Sequence, residues 1–288
     1  MIFLGAGLEL VFNKATFGVE RLAVSGDPEK LCWVQGKSFG LPSGNNFLLN
    51  SSYEGESFVG EFLYFSDIVC TLIVARTEEG VAFRYLFKNT SKQKIELAEG
   101  DLGIYLPFND KFDDPELSLR RRVHAHVRAQ GRAYIYCERY SGDLPSLGWI
   151  MTKGENFSYA LERGIGKALR GEILLQLPAM TLEPEEVYTC EALLFPCHGK
   201  EDFFKKAEEK GFLTATADKL TVFEGEEICV HSSKATELIT ENNSFVFFDG
   251  ECRFAARGAG EHHARIRSEK DECDLCYYVL SRKNQVLF

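Results

Sequence analysis

The densest set of chemically useful side chains lies in one short run, Arg122-Val123-His124-Ala125-His126-Val127-Arg128. Side chains on a β-strand alternate between its two faces. Arg122, His124, His126 and Arg128 therefore share one face, and Val123, Ala125 and Val127 share the other. The apolar set can face a core while the basic set faces solvent or a cleft. The next stretch, Arg132–Tyr140, reads RAYIYCERY and puts Tyr134, Tyr136, Glu138 and Tyr140 on one face. A three-residue loop, Gln130-Gly131-Arg132, sets His126 across from Tyr136 and His124 across from Glu138. A two-residue loop at Gln130-Gly131 sets His126 across from Ile135 and mixes the faces. Face consistency favours the three-residue loop.

Such a face suits an acidic sugar. Arginine forks match a carboxylate, and aromatic rings stack on the apolar faces of pyranoses. Arg122, His126, Arg128, Tyr134 and Tyr136 are the candidate ligand contacts. His124 with Glu138 is the candidate proton-transfer pair. The plain alternative is the wet outer face of an ordinary hairpin. A His-x-His strand can also chelate a metal, but no third ligand accompanies it, and no metal is assigned.

Other constellations are weaker. Asp110, Asp113, Asp114 and Glu116 form an acidic loop ahead of the hairpin. Paired carboxylates serve glycoside hydrolysis, yet a solvated loop explains them as well, and their spacing matches no EF-hand. Cys273-Asp274-Leu275-Cys276 is a C-x-x-C, with His262-His263 upstream as a conceivable second ligand pair for zinc. Incidental thiols are the simpler reading, because adjacent histidines on a strand point to opposite faces. Trp33 and Trp149 are the only tryptophans. Trp33 is taken as a candidate sugar platform, although a core Trp is the commoner case. No G-x-S-x-G, Walker A, G-x-G-x-x-G or H-E-x-x-H occurs, and nothing calls for a cofactor.

The elements around these residues read as strands. Phe58–Tyr64, Ile68–Arg76, Val81–Asn89 and Ile95–Ala98 are short, β-branched or aromatic, and separated by turn residues such as Glu78-Glu79-Gly80. Gly103–Phe108, Leu147–Thr152, Phe157–Leu161, Glu172–Leu177 and Glu186–Phe195 continue the series. Lys200–Lys210 alone reads as a helix, with Phe203, Phe204 and Ala207 as a stripe and Gly211 as its stop. Strands resume at Lys219–Phe223, Glu227–His231, Ser244–Asp249, Arg253–Ala256, Ala264–Arg267 and Cys276–Ser281. The expected fold is all-β: a large antiparallel sandwich over 1–198, a linker helix over 199–212, and a small immunoglobulin-like sandwich over 213–288.

Composition excludes several classes. The 288 residues carry a net charge of −10, which argues against sequence-independent nucleic-acid binding. No apolar run is long enough to span a bilayer. Met1–Leu4 lacks a basic flank and reads as a first strand rather than a signal peptide. Nine cysteines, an odd number set mostly in apolar runs, point to a reducing cytoplasm.

The order of parts resembles a known family. Leu8–Phe12, FGVERLAVSGD (Phe17–Asp27) and CWVQG (Cys32–Gly36) look like the first strands of the galactose-mutarotase-like supersandwich. DLGIYLPFND (Asp101–Asp110) and RRRVHAH (Arg120–His126) are similar to segments in N-terminal regions of bacterial glycoside hydrolases. In those enzymes an (α/α)6 toroid usually follows and supplies the catalytic carboxylates. The resemblance implies a carbohydrate-binding, substrate-positioning region acting with a C-terminal catalytic domain on an oligosaccharide or glycoside, uronate-bearing if the basic face is the guide. Two alternatives stay open: a stand-alone mutarotase- or epimerase-like enzyme using a His–Glu pair, and a noncatalytic binding or scaffold protein.

Overall fold

The computed structural model describes residues 2–43, 47–54, 56–65, 67–112, 114–129, 131–162 and 172–281. Asp113 and Gln130 lie outside them. The chain divides into two compact units, Met1–Phe203 and Phe204–Phe288, and both are built of β-sheet.

The first unit opens with β1 (Ile2–Gly5), β2 (Leu8–Phe12) and β3 (Val19–Val24), which form an antiparallel sheet. Then come β4 (Phe47–Glu54), β5 (Ser57–Phe65), β6 (Ile68–Arg76), β7 (Val81–Asn89), β8 (Ile95–Leu97) and β9 (Gly103–Leu106). A short helix, α1 (Pro115–Arg121), precedes β10 (Val123–Arg128), β11 (Tyr134–Arg139) and β12 (Ser146–Lys153). The unit continues through β13 (Ser158–Glu162), β14 (Glu172–Gln176), β15 (Met180–Leu182) and β16 (Val187–Cys197). Its backbone is an eight-stranded sheet in the order β10-β11-β12-β16-β7-β6-β5-β4, with every pairing antiparallel. Smaller sheets, β13-β14-β9 and β15-β8, complete the layers.

Period-two alternation drives this arrangement. Strand β6 alternates buried and half-buried along Ile68–Arg76, as expected of a strand with one face on a core. Phe12, Phe17, Phe62, Phe83, Phe87 and Phe108 are fully buried in one continuous cluster, and the rings meet edge to face or tilted (Phe39–Phe108 centroids 5.2 Å apart). Such pairs add about 0.5–1.5 kcal/mol each beyond their area. Deep in the same unit Arg139 is paired with Asp27, and both side chains are buried. Asp27 also accepts the backbone N–H groups of Glu29 and Leu31, so its carboxylate ties the loop after β3 to β11.

Helix α2 (Gly199–Glu209) crosses the division between the units. The second unit then holds β17 (Thr216–Ala217), β18 (Thr221–Phe223), β19 (Glu227–His231), β20 (Glu237–Ile239), β21 (Ser244–Val246), β22 (Glu251–Ala255), β23 (Gly260–Arg267) and β24 (Glu272–Leu280). They form two sheets, β17-β19-β22 and β18-β24-β23-β20-β21, around a core that includes Val222, Ile228, Leu238, Phe254 and Ile266. The all-β expectation holds. Several elements depart from the sequence reading: the strands β4, β15, β17 and β20 were not expected, and α1 stands where a loop was expected. Asp114 caps α1 by accepting the Leu117 N–H (2.8 Å), and Pro115 occupies its first turn.

No helix of the described residues is long and apolar enough to cross a membrane. None of the nine cysteines is in a disulfide. Burial pushes the thiols of Cys70, Cys137 and Cys190 well above their ordinary range, which keeps them protonated and inert.

Candidate functional site

The hairpin β10–β11 has the register that face consistency favours. His124 lies opposite Glu138, His126 opposite Tyr136 and Arg128 opposite Tyr134. The turn between the strands runs through Gly131 at φ +73°, a left-handed conformation that glycine adopts without steric cost. Val123 is fully buried, and Ala125 and Val127 pack against the core. The basic residues take the other face.

The hydrogen bonds of the histidines and carboxylates, however, do not run straight across the ladder. His126 Nε2, not His124, meets Glu138 Oε1 at 3.1 Å. His124 turns toward the residues ahead of α1, and its Nδ1 lies 3.9 Å from Asp110 Oδ2. Asp110 in turn accepts the Tyr140 hydroxyl at 2.9 Å. The imidazoles of His124 and His126 stand edge to face, 4.3 Å between centroids. The site is thus two neighbouring acid–base pairs, His126–Glu138 and His124–Asp110, with Tyr136 and Tyr140 as their phenolic partners. Tyr136 donates to Glu138 Oε2 at 3.1 Å and also contacts the Ser146 hydroxyl at 3.2 Å. Burial is the main reason its phenol is pushed up to about 12, so it stays a hydrogen-bond donor at neutral pH.

The arginines flank this centre. Arg122 Nη1 donates to Asn109 Oδ1 at 3.1 Å, and Arg128 lies over the Tyr134 ring, 5.8 Å from its centroid. Both side chains are half-buried. Tyr134 and Tyr136 are covered by Phe203 of α2, with ring centroids 5.3 and 5.2 Å away. Gly148, directly opposite Tyr136 in β12, makes room for this packing, because a Cβ there would come within 2.4 Å of the Phe195 ring and 2.8 Å of Phe203.

Three sequence assignments change as a result. Trp33 is 0% exposed within the core and offers no face to a sugar. Tyr136 is only 3% exposed, so it supports Glu138 rather than stacking on a ligand. The hydrogen-bonded partner of Glu138 is His126 rather than His124. The C-x-x-C also separates: Cys276 lies opposite the exposed His263, whereas Cys273 lies opposite the buried Ile266 and packs on the core. Cys273 and Cys276 therefore point to opposite faces of β24 and cannot share a zinc.

A cleft of about 150 Å³ adjoins the His124–Asp110 pair. Its walls are Phe108, Ala125, Val127, Tyr159, Leu161 and Ile173. Tyr159 and Leu161 lie on β13, an edge strand, and both are substantially exposed. A polar rim beside an aromatic and aliphatic wall is the usual composition of a small-molecule site. Sequence reasoning missed this wall. The signal was the alternation Ser158-Tyr159-Ala160-Leu161, which sets two large side chains on one face of a strand that, among the described residues, is the edge of its sheet.

No family model matches the chain, and no curated protein matches it. Solved structures do. A polysaccharide lyase aligns over 97% of this chain with a TM-score of 0.72 and 24% identity, a level that shows shared fold and nothing more. The chain spans 47% of that lyase's length. Galactose mutarotase-like proteins from Lactobacillus casei (TM-score 0.45, 10% identity, 68% of this chain and 99% of that one) and Clostridium acetobutylicum (TM-score 0.46, 11% identity, 69% and 95%) also match. They belong to the family the sequence resembles, but at these TM-scores the statement of fold rests on the lyase: this chain has the β-architecture of about half of a polysaccharide lyase.

Proposed function

We propose that the first unit binds an acidic saccharide along β10–β11, as the substrate-positioning region of a larger carbohydrate-active enzyme. The observation that carries this reading is that Arg122, His124, His126 and Arg128 share one hairpin face, which meets, at His124 on the edge strand, the cleft walled by Ala125, Val127 and Tyr159 on the other side. Arginines supply charge-assisted contacts to a carboxylate, and Tyr159 supplies a ring for a pyranose face. The lyase that shares the fold acts, by its name, on polysaccharides, and that substrate class is carried here as part of the proposal. So is the partner: a C-terminal catalytic domain of the same native chain, bringing the carboxylates of a glycoside hydrolase.

A second reading is favoured by one specific feature, the two acid–base pairs. His126 with Glu138, or His124 with Asp110, can accept a proton from a sugar carbon or hydroxyl while Tyr140 donates one. On that reading the unit carries chemistry of its own, as an epimerase-like or eliminating enzyme does.

Affinity measurements separate the cases. Arg122→Ala or Arg128→Ala should weaken binding of an oligouronate by roughly 1.5–3 kcal/mol, about one to two decades, with less effect on a neutral analogue. Unchanged affinity in both variants would overturn the binding reading. If His126 acts in catalysis, His126→Ala should lower turnover by about 100-fold or more with little change in affinity.

A further inference from the structure

We infer that the second unit carries a divalent transition-metal site formed by Cys229, His231 and Glu251, suited to zinc. Cys229 and His231 are two apart on β19 and share a face, and Glu251 on β22 lies directly opposite His231. Their ligand atoms lie within 4.8 Å of one another. His231 Nδ1 is 3.5 Å from Glu251 Oε1, and Cys229 Sγ is 3.9 Å from Glu251 Oε2. With bonds of about 2.0–2.3 Å, a tetrahedral zinc sets its ligands about 3.3–3.6 Å apart. The two contacts made by Glu251 are within a few tenths of an ångström of that spacing, and Cys229 and His231, no more than 4.8 Å apart, have at most about 1.3 Å to close. A thiolate, an imidazole and a carboxylate form a donor set typical of zinc, and three protein ligands leave one position for water.

The surroundings hold the ligands in place. Asp218 accepts the backbone N–H of Cys229 at 2.9 Å. Arg253 donates to Glu251 Oε2 at 3.0 Å, which orients the carboxylate with its other oxygen toward His231. Such outer partners fix ligand orientation in metal sites. Cys229 is buried at the base of the site, while His231 and Glu251 are open to solvent, so an ion can enter from one side. Binding replaces the thiol proton of Cys229, which leaves to water. A similar trio, Glu261, His263 and Cys276, occurs on β23 and β24. All three are exposed, and no buried anchor organises them. It serves as the internal control.

The test uses the full chain, reduced without thiol reagents, and cobalt(II) as the probe. The expected result is one equivalent bound with a thiolate-to-cobalt charge-transfer band and tetrahedral visible bands, displaced by zinc. Cys229→Ser should abolish the charge-transfer band, and Cys276→Ser should leave it intact. Glu251→Gln and His231→Ala, both at exposed positions, should weaken binding at least about tenfold, and they decide the matter if the Cys229 variant does not fold. Absence of the band at excess cobalt, its survival in Cys229→Ser, its loss in Cys276→Ser, or unchanged affinity in Glu251→Gln and His231→Ala would overturn the assignment.

Discussion

Two antiparallel hairpins in this molecule carry histidines on a polar face, and they differ in where the partners of those polar side chains come from. In β10–β11 the polar side chains are met from elsewhere in the fold: Asp110 reaches His124, Ser146 supports Tyr136, and Phe203 covers Tyr134 and Tyr136. In β23–β24 the polar residues find mostly local partners. His263 meets Glu261 two residues away, and Arg265 and Arg267 meet Asp274 and Glu272 across the ladder. All of these side chains are about half exposed or more, a setting in which ion pairs contribute little. The same alternation thus yields a wet surface or a candidate site, depending on whether a second layer arrives.

The largest expected effects come from the buried side of β10–β11. Val123→Asp would place an unpaired charge in the core and should cost about 4 kcal/mol or more, enough to unfold the first unit. Thermal unfolding with circular dichroism reads this directly. Removing one member of the buried Arg139–Asp27 pair comes next: Asp27→Ala should cost about 3–5 kcal/mol, because Arg139 is left charged and without its partner. The urea midpoint measures it. Tyr140→Phe should be milder, about 1.5–3 kcal/mol, the range for a hydrogen bond to a charged group. Glu261→Ala on the other hairpin should stay within about 0.5 kcal/mol, the usual range for surface changes. An equal loss from Tyr140→Phe and Glu261→Ala would erase the distinction between the hairpins.

Tyr136 also makes the stability of this hairpin depend on pH. The folded Tyr136 phenol is raised to about 12 against an ordinary value of 10.0. The folded state therefore holds this proton more tightly than the unfolded state does. The associated stability is fully present below pH 10 and is lost as pH rises from 10 toward 12. Tyr136→Phe should reduce the slope of that part of the stability profile, to which the raised phenols of Tyr64, Tyr85 and Tyr188 also contribute, as chemical unfolding at a series of pH values would show.

What the sequence revealed follows from the same contrast. The register of β10–β11 was legible because a period of two fixes faces, and one loop length kept both faces consistent. The length of β6 and β7 was legible for the same reason, with Gly80 closing their turn. The edge strand β4 was not, since Phe47–Glu54 mixes Asn and Ser into an apolar pattern. Helix α1 was missed although Asp114-Pro115-Glu116 carries a helix-start signal, because the acidic residues invited a ligand reading first. The meeting of His124 with Asp110 could not be read, because it depends on how a non-repeating segment folds back on the strand. Trp33 shows the reverse error: an aromatic residue suited to a sugar by type is in the core by position.

The central claim is that the β10–β11 face, and not every histidine-bearing face, recognises an acidic sugar. Imidazole NMR resonances of the six histidines during titration with an oligouronate test it residue by residue. The expected result is a saturable shift of His124 and His126, with His262 and His263 unmoved. Shifts confined to His262 and His263, or no saturable shift at His124 and His126, would contradict it.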